Sequence, residues 1–182
     1  MGIIIKNIPN ILTILRMAAV PVFIFFMRKA MFYPAIITFL LAEITDVLDG
    51  VIARRYNLIT EFGKIADPLA DKMMQLAALF MFSIKDMIPK IIPWLVLLKE
   101  LFLLISGIYL YRKKIDMSSK WFGKLTSVIM FIAIMLVFLG VPRYITDVIF
   151  WICAAMALFA ALMYIKNYYK QVSASNKENK QK

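Results

Sequence analysis

The sequence of 182 residues contains no histidine and a single cysteine, Cys153. The lack of histidine excludes histidine general-base catalysis and His-rich metal sites. One cysteine cannot form an internal disulfide. Acidic residues are also scarce, with 11 Asp and Glu against 22 Lys and Arg and a net charge of +11. In such a chain, a cluster of carboxylates stands out as a candidate functional site.

Apolar residues make up 63% of the chain, and the mean hydropathy is +0.79. A soluble domain of this size cannot hide so much apolar surface, so we predict an all-α integral membrane protein. Its six-helix transmembrane bundle would follow a short N-terminal interfacial segment containing Lys6, Asn7, Pro9 and Asn10, with no removable signal peptide. The predicted spans are Leu12–Met27, Phe32–Ala53, Pro68–Ile84, Ile88–Tyr111, Phe122–Gly140 and Tyr144–Ile165. We therefore predict one membrane domain over residues 1–165, followed by a basic tail over residues 166–182.

The basic residues are distributed unevenly over the predicted connections. If the N-terminus is cytoplasmic, fourteen Lys and Arg face the cytoplasm and five face the other side. This asymmetry predicts a multi-pass cell-membrane protein with both termini in the cytoplasm. It explains the positive charge without a nucleic-acid partner. The tail either lies against anionic headgroups or is disordered and soluble.

Six of the eleven acidic residues fall between Glu43 and Asp71. Asp46 and Asp49 are three residues apart, and Asp67 and Asp71 are four apart, so each pair projects from one face of a helix. We expect the two helices to form an antiparallel hairpin around a loop from residue 55 to residue 66. Four carboxylates would then share one site at the cytoplasmic end.

Four such carboxylates at a membrane boundary require either protonation or a divalent cation between them. Carboxylates without nearby His or Cys favour Mg²⁺ or Mn²⁺ over zinc, and such a cation would bind phosphate. Gly50 and Gly63 would permit close approach of a ligand or of another helix. The cytoplasmic cations Arg54, Arg55 and Lys64 would bind phosphate or only enforce topology.

The acidic segment reads D-x-x-D-G-x-x-A-R, eight residues, then G-x-x-x-D-x-x-x-D. This pattern resembles the signature of the CDP-alcohol phosphotransferase family at all eight fixed positions. Those positions are Asp46, Asp49, Gly50, Ala53, Arg54, Gly63, Asp67 and Asp71. The resemblance implies the fold of that family, a homodimer, and transfer of a phosphatidyl group from CDP-diacylglycerol to an alcohol with release of CMP.

The same resemblance implies roles for single residues. Asp46, Asp49, Asp67 and Asp71 would hold one or two divalent ions, with Asp71 also acting as general base on the acceptor hydroxyl. The CDP end of the donor would lie against Asp46, Gly50, Ala53, Arg54, Gly63 and Asp67. The active site would face the cytoplasm.

The acceptor is inferred from segments outside the signature. The opening N-I-P-N-I-L-T-I-L-R and the segment L-I-T-E-F-G-K-I-A-D-P-L-A-D-K resemble bacterial family members that use glycerol 3-phosphate. A phosphorylated acceptor needs cations, and the candidates are Arg16, Lys72, Lys99, Arg112 and Lys124. Alternatively, Arg16 snorkels to the interface and Lys99 is neutralised by an acid such as Glu100. Lys99-Glu100 and Gly123-Lys124-Leu125 depart from the pattern of that branch, so phosphatidylglycerol stays open as the acceptor, as in cardiolipin synthesis.

Intramembrane carboxylates also occur in ion-coupled transporters, which form a second class of function. Transporters often carry internal repeats, and none relates residues 1–90 to 91–182. The acids also lie at one predicted membrane boundary rather than near the midplane. A non-catalytic membrane scaffold is the third class, and the intact signature argues against it.

Overall fold

In the computed structural model the backbone is described for residues 2–55, 61–112 and 120–178, and side chains for 10–48, 69–102, 105, 125–159 and 162. All regular structure in these ranges is helical. The helices are α1 (Gly2–Arg28), α2 (Phe32–Arg55), α3 (Glu61–Ile84), α4 (Ile92–Arg112), α5 (Lys120–Phe138) and α6 (Arg143–Glu178). The chain divides into two compact units, residues 1–86 with α1 to α3 and residues 87–182 with α4 to α6.

In the first unit, α1 packs against both α2 and α3, and α2 and α3 make a smaller contact with each other. The predicted hairpin of α2 and α3 is therefore incomplete without α1. Buried side chains on α1 recur every three or four residues, which places them on one face. They are Thr13, Arg16, Val20, Phe23 and Met27.

The buried face of α2 contains Ala35, Phe39 and Ala42 at the same helical spacing. The rings of Phe23 and Phe39 meet with centroids 6.2 Å apart and planes tilted by 53°. At the end of α3, the Lys85 ammonium lies 5.5 Å from the centroid of the Phe32 ring at the start of α2. This is a cation–π contact, and it agrees with an antiparallel arrangement of α2 and α3.

In the second unit, α6 packs against α4 and α5. The core takes Val96 from α4, Ala133 and Ile134 from α5, and Phe150 and Cys153 from α6. Cys153 is fully buried, so it is a packing residue.

Three helix ends carry a residue in the left-handed conformation: Ala30 after α1 (φ 56°), Asp86 after α3 (φ 54°) and Gly140 after α5 (φ 71°). At Gly140 the next residue closes the helix, because the Val141 N–H donates to the Leu136 carbonyl at 3.1 Å. The same bond runs from the Met31 N–H to the Phe26 carbonyl at 2.9 Å. These caps satisfy carbonyls that the helix ends would otherwise leave unpaired.

Several predicted boundaries are corrected. The loop expected over 55–66 is wrong in its second half, because α3 begins at Glu61, where an acid favours a helix N-terminus. The fourth helix begins at Ile92 rather than Ile88, since Pro93 suits a first turn and the chain turns at Asp86. The predicted interfacial segment is continuous with α1, which begins at Gly2.

The last helix also differs from its prediction. It extends past Ile165 to Glu178, so the basic tail is helical over 166–178 rather than disordered. No glycine or proline interrupts this stretch.

Large apolar side chains cover the outward faces of the helices, for example Leu15 (59% exposed), Val47 (65%) and Ile105 (65%). Within the described residues, Asn10–Arg28 is the segment long and apolar enough to cross a membrane, with mean hydropathy 1.9. The apolar part of α5, Leu125–Phe138, is shorter. By length and composition alone, the first of the six predicted spans meets this criterion among the described residues, and the membrane topology stays a prediction.

Candidate active site

One end of the first unit is polar. The buried face of α1 changes from Phe23 and Val20 to Arg16 and Thr13 toward its N-terminus. The buried face of α2 changes in the opposite chain direction, where Ala42 is followed one turn later by Asp46. On α3, Asp71 and Gln75 come before the apolar end of the helix. Because neighbouring helices run in opposite directions, these polar residues come together at one end.

Arg16 is the most deeply buried charge at this end, with 1% of its side chain exposed. Its Nη1 donates to Asp46 Oδ1 at 2.6 Å, and the Asp46 side chain is 35% exposed. An arginine in an apolar stripe needs such a partner, since an unpaired buried charge is costly. Two residues predicted to act separately, on acceptor and on metal, are therefore an ion pair. Snorkelling, the alternative for Arg16, does not describe this geometry.

Asp71 is held by two side chains of its own helix. The Lys72 ammonium lies 2.8 Å from Asp71 Oδ2, and Gln75 Nε2 donates to Asp71 Oδ1 at 3.2 Å. The side chains of Asp71 and Lys72 are 20% and 25% exposed. Both oxygens of the carboxylate thus accept one donor each and keep further lone pairs available.

Glu43 also belongs to this end of the unit, although it is not one of the signature residues. It lies one turn before Asp46 on α2 and is partly buried. Its carboxyl group lies near two of the four signature carboxylates, Asp46 and Asp71, and near the cations Arg16 and Lys72. Its spacing of three residues from Asp46 was the available signal.

The remaining signature residues lie on the expected helices. Asp49, Gly50, Ala53 and Arg54 are in α2, and Gly63 and Asp67 are in α3. Their side chains lie outside the described set, so their predicted roles stay predictions. Arg112 of α4 and Lys124 of α5 are likewise outside it.

Lys99 belongs to the second unit. Its ammonium lies 2.5 Å from Glu100 Oε1, and the two side chains are 18% and 17% exposed. This is the neutralisation that the sequence offered as the alternative to acceptor binding. Lys99 also lines an apolar cavity of about 240 Å³ between α4 and α6, together with Leu95, Phe102 and Ala157.

Among the described side chains, no group of three or more acidic or cysteine residues could hold a metal ion. Of the four predicted ligands, Asp46 and Asp71 are in this set. Both offer carboxylate oxygen, the donor that Mg²⁺ and Mn²⁺ prefer. The donor chemistry of these two residues therefore fits a hard divalent ion, and the ligand roles of Asp49 and Asp67 stay predictions.

Comparison with known proteins adds an independent line of evidence. The family model described as CDP-alcohol phosphatidyltransferase matches residues 6–163. A Rickettsia typhi protein named CDP-diacylglycerol–glycerol-3-phosphate 3-phosphatidyltransferase is 34% identical over 173 residues, 88% of this chain and 96% of the relative. A protein of the same name from Aquifex aeolicus is 31% identical over 74% of this chain and 76% of its own length. A Mycobacterium tuberculosis protein named probable phosphatidylglycerophosphate synthase is 36% identical over 71% and 65%.

Proposed function

Because the chain belongs to the CDP-alcohol phosphatidyltransferase family, we propose that it transfers the phosphatidyl group of CDP-diacylglycerol to glycerol 3-phosphate and releases CMP. The observation that carries this proposal is the similarity over 88% of the chain to a relative named for that reaction. It agrees with the polar end of the first unit, where Asp46 and Asp71 lie. The same family match argues against the transporter and the scaffold.

In the proposed reaction, the acceptor hydroxyl oxygen attacks the lipid-linked phosphorus directly. The new phosphorus–oxygen bond forms as the bond to the CMP oxygen breaks, and Asp71 accepts the hydroxyl proton. A carboxylate that already accepts bonds from Lys72 and Gln75 is fixed in direction, and this reduces the cost of orienting it.

Asp46, Asp49, Asp67 and Asp71 would hold Mg²⁺ or Mn²⁺, one or two ions. A bound divalent ion supplies neutralisation of phosphate charge during the transfer. When no metal ion is bound, the positive charge of Arg16 offsets the repulsion between Asp46 and the other carboxylates. On the same proposal, the CDP end of the donor lies against Gly50, Ala53, Arg54 and Gly63.

The acceptor determines which branch of the family the protein represents. Arg16, Lys72 and Lys99 are each paired with an acid in the structure. The phosphate of glycerol 3-phosphate would have to compete with those acids for the three cations. Phosphatidylglycerol also carries a phosphate, but as a lipid it depends less on such cations for binding. For this reason the assay includes both acceptors.

The experiment is CMP release by purified protein in detergent, with CDP-diacylglycerol and Mg²⁺, comparing glycerol 3-phosphate with phosphatidylglycerol. Release with glycerol 3-phosphate is the expected result. Release with phosphatidylglycerol alone would make the protein a cardiolipin synthase. If the wild type releases no more CMP than the Asp71→Asn variant with either acceptor, the proposal is wrong.

On the same proposal, the protein lies in the cell membrane as a multi-pass homodimer with both termini and the site facing the cytoplasm. Apolar outward faces and the Asn10–Arg28 segment support the membrane part. Two variants that lack the native cysteine through Cys153→Ala test the orientation in intact cells. One carries Asp86→Cys and the other carries Ser175→Cys. An impermeant maleimide should label Asp86→Cys and spare Ser175→Cys; the reverse pattern would contradict the orientation. Light scattering in detergent measures the oligomeric state.

A further inference from the structure

Gln75 is a buried polar residue that neither the sequence pattern nor the proposed reaction uses. It lies on α3, one turn after Asp71, and only 6% of its surface is exposed. A primary amide buried to this extent must find partners for its donors and its acceptor. The structure supplies them from two residues next to each other in the chain.

Three contacts close a ring. Gln75 Nε2 donates to Asp71 Oδ1 at 3.2 Å, Lys72 Nζ donates to Gln75 Oε1 at 3.4 Å, and Lys72 Nζ lies 2.8 Å from Asp71 Oδ2. The amide orientation follows from its neighbours. A flipped amide would point its oxygen at the carboxylate and its NH₂ at the ammonium, and both contacts would repel.

The ring restricts Asp71 more than either contact does alone. Lys72 is the next residue along the helix, so its flexible chain could approach Asp71 from several directions. Gln75 removes that freedom, because its oxygen holds the ammonium while its nitrogen holds the other carboxylate oxygen. Burial of Gln75 fixes the amide in turn.

From this geometry we propose that Gln75 is a positioning residue, which sets the plane of the Asp71 carboxylate and keeps the Lys72 ammonium on its Oδ2 side. The inference rests on the proposed function, in which Asp71 takes the proton of the acceptor hydroxyl. A rotated carboxylate would still be present, yet its free lone pairs would miss the hydroxyl. Proton transfer depends steeply on such geometry, whereas donor binding uses Asp71 as only one of four proposed metal ligands and depends on it less.

The test compares Gln75→Met and Gln75→Glu with the wild type. Methionine keeps the length and suits an apolar helix interface but cannot donate. Glutamate keeps the shape and, when ionised, repels Asp71. Ser83→Ala is the matched control, since Ser83 is also buried on α3, two turns beyond Gln75, and lies outside the ring.

We expect Gln75→Met to lower kcat by about tenfold or more, the effect of losing a hydrogen bond to a charged group, with KM for the CDP-diacylglycerol donor within about twofold. Gln75→Glu should lower kcat at least as much, and Ser83→Ala should match the wild type. The melting temperature of Gln75→Met in detergent should stay near that of the wild type, because the interface becomes more apolar. If methionine does not give folded protein, the glutamate variant carries the kcat and KM comparison.

Two results separate this inference from the proposed function. A wild type active with glycerol 3-phosphate and a Gln75→Met variant of equal kcat would overturn the inference alone. The same holds if kcat, KM and melting temperature all deteriorate together, because Gln75 would then only stabilise α3 through an i,i+4 contact. A wild type that releases no CMP with either acceptor would overturn the proposed function and this inference with it.

Discussion

The pair formed by Arg16 and Asp46 makes a prediction about stability in which the two single substitutions differ. Arg16 has 1% of its side chain exposed and Asp46 has 35%. Asp46→Leu removes the acid and leaves the deeply buried guanidinium with its charge. Arg16→Met removes the buried charge and leaves a carboxylate that water can reach. The first change should therefore cost much more than the second.

The magnitudes follow from the burial of each partner. Leaving a buried charge without the acid that faces it costs about 3 kcal/mol, while losing the attraction felt by a partly exposed carboxylate costs about 1 kcal/mol or less. For a chain of this length, these values correspond to a fall in melting temperature of roughly 6–12 °C for Asp46→Leu and roughly 2–4 °C for Arg16→Met. The double variant replaces the pair by apolar side chains and should lie within about 1 kcal/mol of the wild type.

The assay is thermal unfolding in detergent with a chelator present, so that bound metal does not contribute. Arg143→Met is the control, because Arg143 is 54% exposed and its pair with Asp147, whose side chain is 27% exposed, is long at 3.5 Å. That change should alter stability by about 0.5 kcal/mol or less. Equal losses for the two single variants, or a double variant no better than Asp46→Leu, would refute the reasoning.

Four other predictions concern the site and the helix ends. Asp71→Asn should abolish CMP release while CDP-diacylglycerol binding, measured by retention of labelled donor, remains; normal turnover would contradict the role of Asp71 as base. Removing divalent ions with EDTA should stop the reaction, and Mg²⁺ or Mn²⁺ should restore it where Zn²⁺ does not, as expected for oxygen ligands; activity that survives exhaustive chelation would count against the metal. Gly140→Ala should lower stability by about 1 kcal/mol, since a Cβ meets nothing within 4 Å and the cost is that of φ 71° alone. Ala30→Gly at φ 56° should change stability in the opposite direction, and both are read from melting curves.

The sequence predicts the helical class and the approximate positions of the helices in the described residues well, because long apolar runs leave few alternatives. It predicted the ends less well. The apolar run predicts Pro68 as the start of the third span, whereas α3 begins at Glu61 and continues through this proline. The proline removes one donor, and the helix on either side keeps its other bonds. For the fourth span the predicted start is too early rather than too late. The chain turns at Asp86, and α4 begins only at Ile92.

At the site, the sequence identified the acids but not their partners. Spacing along a helix shows which residues share a face, and Asp46 and Asp71 lie on the expected helices, α2 and α3. It does not show which helix covers that face. The contact of Arg16 with Asp46 joins residues thirty positions apart and depends on α1 packing against α2. The sequence does not indicate a role for Gln75, because a single amide in an apolar helix shows no function until its hydrogen bonds are known.

The buried face of α1 also affects how α1 aligns with α2 in the first unit. Val20, Phe23 and Met27 are apolar, and an apolar stripe gives similar packing energy when one helix slides along another by a turn. Such a slip would carry Arg16 about 5.4 Å away from Asp46 and leave the guanidinium facing apolar side chains. The ion pair thus favours one alignment of α1 against α2, and it fixes the depth of Asp46 relative to α1.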